Sequence, residues 1–185
     1  MKTVILAVIL FAASATLLAT EPVVVSPENQ AMAVANEFVG LMKPQLQQAL
    51  AEGGPVNAIA VCADIAPRIA DSLSAQSGWT VKRVSLKARN ASRAVPDGWE
   101  ETVLLEFDRR RAAGEKPTDI RHGDVVGGQY RYMQAQVVEP VCLLCHGQVL
   151  TDEVTQVLRE YYPDDTATGY TLGEVRGAIS LSRNL

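Results

Sequence analysis

Residues Cys142-Leu143-Leu144-Cys145-His146 form a CxxCH string late in a chain of 185 residues. Two thiols separated by two residues reach the two vinyl groups along one edge of a porphyrin and form thioethers. The histidine that follows is then carried beneath the iron as an axial ligand. Other readings of the string fit less well. A structural zinc site takes four ligands, and the chain holds neither a second CxxC nor an HxxxH. A thioredoxin-type motif opens a helix after an early strand, whereas this string follows Glu139-Pro140. The expectation is one covalent haem c, with Cys142 and Cys145 as thioether anchors and His146 as the proximal iron ligand.

The N-terminus agrees with that chemistry. Met1-Lys2 is a short basic head, an apolar run continues to Ser14, and Ala13-Ser14-Ala15 and Leu17-Leu18-Ala19 are small-x-small sites. Residues 1–19 therefore read as a secretory signal peptide cut near 15–19, outside the fold. The run is short against the roughly 20 residues that span a bilayer, so membrane contact is expected only if the segment stays uncleaved. Haem c is attached on the oxidising side of a membrane, which points to the periplasm. Of three cysteines, two belong to the haem string. Cys62 is left single where free thiols oxidise. A net charge of −4, with basic and acidic residues interspersed, gives no footprint for nucleic acid. The remaining residues, 20–185, suit a single domain.

Along the chain, Pro27-Glu28 opens a helical pattern through Met32, Ala35, Phe38, Val39, Met42 and Leu46, with Pro44 a candidate kink. Glu52-Gly53-Gly54-Pro55 stops it, and a second helix carries Ile59, Val61, Cys62, Ile65 and Ile69 to Ser77-Gly78. Residues 79–86 alternate as a half-buried strand, and 87–96 form a basic loop. A helix follows Pro96-Asp97-Gly98-Trp99 and closes at Gly114. A weak strand near Asp124 and a strong one over 129–138 flank Gly127-Gly128, a hairpin signal. Thr151-Asp152-Glu153 starts a helix to Tyr162, and residues 173–182 read as a last strand. The sum is α+β: a long N-terminal helical pair, then an antiparallel sheet with flanking helices. These strands argue against a four-helix cytochrome with a C-terminal CxxCH.

A haem with one histidine either binds gases or takes a sixth ligand. No methionine follows His146, so the candidates lie upstream: Cys62, His122, Met32, Met42 and Met133. His122 sits in a polar stretch where solvation is the ordinary outcome, and the methionines fall at core spacing. Cys62, beside an apolar helix face, reads either as a ligand or as a small core residue. Arg83, Lys87, Arg89 and Arg93 on the basic strand and loop, with Arg131 on the strong strand, are candidate partners for the haem propionates.

Four segments carry a family resemblance: Ala58 to Pro67, Arg83 to Asn90 with Trp99-Glu100 beyond it, Val138 to Gly147, and Gly173 to Ser180. Together they resemble a haem-binding PAS-like domain family, first catalogued as a domain of unknown function and exemplified by cyanobacterial c-type haem proteins. The resemblance covers nearly the whole mature chain. It implies a PAS-like sheet holding a c-type haem, with His146 proximal and Cys62 distal. Asn90-Ala-Ser-Arg93 departs from the Asn-Pro turn usual there.

A thiolate is an anionic, strongly donating ligand that favours ferric iron, so a His/Cys haem should have a low potential. Weakening of the iron–sulfur bond on reduction opens a position for CO or NO. The expected role is a redox- or gas-responsive haem protein whose partner is a redox protein or a small gas. A plain periplasmic electron carrier is the alternative. A haem enzyme of sulfur-compound oxidation is the third reading and the weakest, because the chain shows one haem motif and no substrate-binding constellation.

Overall fold

The computed structural model describes residues 25–185; the signal-peptide segment lies outside the described residues. Its first element, α1 (Pro27–Ser77), starts where Ser26 Oγ accepts a hydrogen bond from the Asn29 amide at 3.2 Å, with Pro27 in the first turn. Gly53 and Gly54 leave helical space, Gly54 with φ 67°, and the element folds back there. Asn57 Nδ2 donates to the Ala49 carbonyl at 3.0 Å across the corner. Ala31, Phe38 and Met42 of the first arm then share one apolar cluster with Ala70 and Leu73 of the second. The expected helical pair is present, joined at its Gly-Gly corner. Pro44 does not interrupt it. The ring and Gly40, whose carbonyl loses its helical partner, are both exposed, so water can take that carbonyl.

Four strands follow: β1 (Thr80–Val84), β2 (Arg121–Val126), β3 (Gln129–Val137) and β4 (Val175–Asn184). They form one antiparallel sheet in the order β1-β4-β3-β2. Gly127 and Gly128, at φ 58° and 79°, make the tight turn between β2 and β3. β2 begins three residues earlier than its sequence suggests and includes His122. As a largely exposed edge strand it carries no apolar alternation to reveal it. In the basic loop, Asn90 is followed by a one-turn helix, α2 (Ala91–Ala94).

Each face of the sheet has its own cover. Val81, Tyr132, Ile179 and Leu181 pack on α1. Val84, Met133, Ala135 and Ala178 pack with Val103, Leu104 and Phe107 of α3 (Gly98–Ala112) on the other face. A capping box starts α3: the Glu100 amide donates to Asp97 Oδ1 and the Asp97 amide to Glu100 Oε2, each at 2.9 Å. Asp97→Ala should lower stability by about 1 kcal/mol, read from the urea midpoint. Partial burial acts on the Asp97 carboxyl, but the Arg131 hydrogen bond and the Glu100 amide outweigh it and hold the group below the ordinary carboxylate range. A depressed folded value makes this stabilisation complete above about pH 4 and lost as pH falls further. The gap between wild type and Asp97→Ala should therefore narrow on acidification.

After β3 the chain makes a 3-10 turn, Pro140–Cys142, and a one-turn helix, α4 (Leu143–His146). The last helix, α5 (Asp152–Tyr161), lays Val154 and Leu158 against Ile59 of α1. The CxxCH string is thus wedged between the second arm of α1 and the end of the sheet.

Candidate functional site

A cavity of about 630 Å³ lies between the α1 face of the sheet and the two arms of α1, within the range for small-molecule and cofactor pockets. Cys142, Cys145, His146 and Cys62 all line it. The second arm contributes Ala58, Cys62, Ala66 and Ala70, one residue per turn at four-residue spacing. Three of these are alanines, which leave open volume around the one sulfur. Phe38, Met42 and Leu46 of the first arm close the opposite side.

The CxxCH segment is held from several directions. Cys145 packs with Ile59 and Val154, and its Sγ lies 3.9 Å from the Pro55 carbonyl. Cys142 Sγ accepts from the Glu139 amide at 3.4 Å. The Gly147 and Tyr170 backbones form a short parallel bridge, with the Tyr170 amide donating to the His146 carbonyl at 2.9 Å. The Tyr170 ring meets the imidazole edge to face at 6.4 Å.

His146 Nδ1 lies 2.7 Å from the Ala167 carbonyl oxygen. A carbonyl only accepts, so toward it Nδ1 is the donor and the Nε2 lone pair is left for a ligand role, while Arg89 Nη2 and Arg176 Nε also approach Nδ1 at 3.0 and 3.1 Å. Among the described residues no hydrogen bond engages Nε2. Burial, then the Arg176 and Arg89 charges, hold the imidazole well below the usual histidine range. It is therefore neutral and able to donate its lone pair. Burial likewise pushes the Cys145 thiol up to about 11 and raises that of Cys62.

Cys62 is supported differently. No hydrogen bond reaches its sulfur among the described residues; burial raises its thiol and the Arg83 and Arg89 charges only partly offset that. The remaining candidate ligands separate by position. Met42 lines the cavity. Met133 is wholly buried on the opposite face of the sheet, Met32 packs in the α1 cluster, and His122 lies on β2 with its ring 5.9 Å from that of Trp99.

The basic residues also divide. Arg83 lines the cavity, stacks 6.0 Å over Phe38 and makes no ion pair among the described residues. Arg89 donates to the Cys145 and Ala167 carbonyls at 2.5 and 3.0 Å and pairs with Asp165 at 3.3 Å. Arg93 is on the rim, paired with Asp71. Arg131 and Lys87 are corrections to the sequence reading. Arg131 shares strand parity with Met133 and so points to the α3 face, where its Nη2 meets Asp97 at 2.7 Å over the Trp99 ring. Lys87 sits beyond the end of β1, over the Tyr170 ring at 4.8 Å, lining a separate cavity of about 460 Å³. The sequence reading missed Arg176. It lines the same cavity as Cys62 and His146, is 9% exposed, and has no carboxylate partner among the described residues.

Apolar walls, two thiols, a free imidazole nitrogen and surplus arginine charge fit a flat ring that bears acidic side chains. A porphyrin with its propionates has that chemistry.

Comparison with known proteins agrees with this architecture. The crystal structure of the cyanobacterial heme-protein Tll0287 superposes with a TM-score of 0.61, covering 86% of this chain and 97% of that one at 24% identity. No curated protein matches the chain. The model of the Tll0287-like family matches residues 17–183, the long helical element, the sheet and the CxxCH segment included. The chain belongs to the Tll0287-like family.

Proposed function

We propose that this protein is an exported, periplasmic monohaem c-type haem protein acting as a low-potential, redox- or gas-responsive centre. Cys142 and Cys145 hold the ring, and His146 and Cys62 are the axial ligands. The single observation that carries the reading is that these four side chains, drawn from positions 62 to 146, line one apolar cavity. The description of the solved relative as a heme-protein supports it. A porphyrin iron held there supplies one-electron chemistry and a coordination position for small gases.

The two sides of the cavity divide the work. On the proximal side the Ala167 carbonyl, the Tyr170 ring and the backbone bridge at Gly147 fix the His146 imidazole. Such outer partners hold a ligand in place. On the distal side Cys62 is held by helix packing alone. This asymmetry favours exchange at Cys62 while His146 stays put, which is what a responsive centre requires and a plain carrier does not.

The test is expression with a c-type maturation system. Intact mass should show one covalent haem on the wild type and none on the Cys142→Ala/Cys145→Ala double variant. Dithionite-reduced wild type should bind CO. A reduced protein that stays six-coordinate and inert to CO makes it an electron carrier instead; a matured wild type without covalent haem overturns the reading.

A further inference from the structure

Arg176 is delivered by an irregularity in β4. Gln136 pairs with Gly177 and Val137 with Val175, so Arg176 is the extra residue of a β-bulge. Ala178 packs on the α3 face, and strict alternation would send Arg176 the same way. The bulge turns it inward to the cavity. Its Nη1 donates to Ser85 Oγ at 2.9 Å and to the Lys87 carbonyl at 3.2 Å. Its Nε lies 3.1 Å from His146 Nδ1. The Nε–H is thus aimed at the imidazole, and this side of the guanidinium is turned to His146, not to the open cavity. Nη2 is left without an acceptor on a charged group that is almost wholly buried. Buried charges are ordinarily paired, and burying this one unpaired is costly. A free guanidinium N–H group on a buried cation suits a carboxylate oxygen.

Resting on the haem reading above, we propose that Arg176 is a positioning residue for the His146 side of the haem. It braces the imidazole from behind and supplies the buried positive charge that receives a propionate carboxylate. A fixed cation there stabilises the reduced, more negative iron centre over the oxidised one. Arg89 Nη2 also lies 3.0 Å from His146 Nδ1, but Asp165 already balances its charge and its other bonds go to the Cys145 and Ala167 carbonyls.

The experiment is a redox titration with EPR on matured wild type, Arg176→Met and Arg176→Lys. Loss of the cation should lower the equilibrium constant for reduction about tenfold, a midpoint about 59 mV more negative. Arg176→Lys should recover most of that shift while still altering the ferric g-values, because lysine keeps the charge and lacks the fork. A structural brace alone predicts one potential for all three proteins, and that result overturns the proposal. If Arg176→Met does not fold, Arg176→Lys is compared with Ser85→Ala, which removes the Nη1 acceptor. Changed g-values in either support the role; unchanged g-values in both overturn it. A wild type lacking haem would instead remove the reading on which this one rests.

Discussion

Replacing Cys62 by methionine should raise the midpoint potential by on the order of 0.2 V, within the roughly 0.8 V over which axial ligands set haem potentials. Thiolate brings a negative charge to the iron and stabilises the ferric state; a thioether is neutral and stabilises the ferrous one. The cavity magnifies that difference, since Ala58 and Ala66, one turn to either side of Cys62, line it with methyl groups and no hydrogen bond reaches the sulfur among the described residues. Those alanines also leave space for the longer side chain. The companion variant Cys62→Ala removes the ligand altogether and should bind CO as soon as it is reduced. A ferric Soret band and EPR spectrum unchanged in Cys62→Ala would exclude Cys62. Met42, the other cavity-lining candidate on α1, would then be the next residue to replace.

Much of this site is legible in the string of residues, and what is not has an identifiable cause. Gly53-Gly54-Pro55 marks the corner of α1 because only glycine takes the Gly54 conformation cheaply. Cys62 stands out by subtraction, as the cysteine left after the haem string. Its place in one cavity with His146, however, depends on the second arm of α1 packing against the CxxCH segment, a tertiary event. His122 reads as loop because an exposed edge strand has no buried face to set a period. Arg131 and Arg83 both look like basic strand residues. Their opposite destinies follow from parity, which one core neighbour decides: Met133 for Arg131 and Val81 for Arg83. Arg176 escaped notice because a bulge reverses its parity. The available signal was Gly177 inside an otherwise apolar strand, a residue that often marks a bulge or a close backbone approach.

That glycine carries the second large expectation. Gly177→Ala should destabilise the fold by about 3 kcal/mol, a large share of the 5–15 kcal/mol typical of a domain. Gly177 has φ 152°, a region that side chains avoid, and an added Cβ would stand 2.4 Å from the Val84 carbonyl oxygen and 3.0 Å from Ser85 Cβ. The Val84 obstacle is backbone, held by the pairing of Val84 with Ala178, so no rotamer change relieves it. For a chain of this size the thermal midpoint should fall by roughly 6–12 °C. Gly40→Ala is the control: it lies in a helix with nothing within 4 Å of the new methyl, and should be neutral or slightly stabilising. The same substitution at Gly177 should also reach the haem. Arg176 is its neighbour in the bulge, and Ser85, which meets the new methyl, is the acceptor for Arg176 Nη1. Folded Gly177→Ala protein should therefore show altered ferric g-values at temperatures below its transition. A lowered thermal midpoint with a wild-type EPR spectrum would mean that the bulge supports the sheet without setting the geometry behind His146.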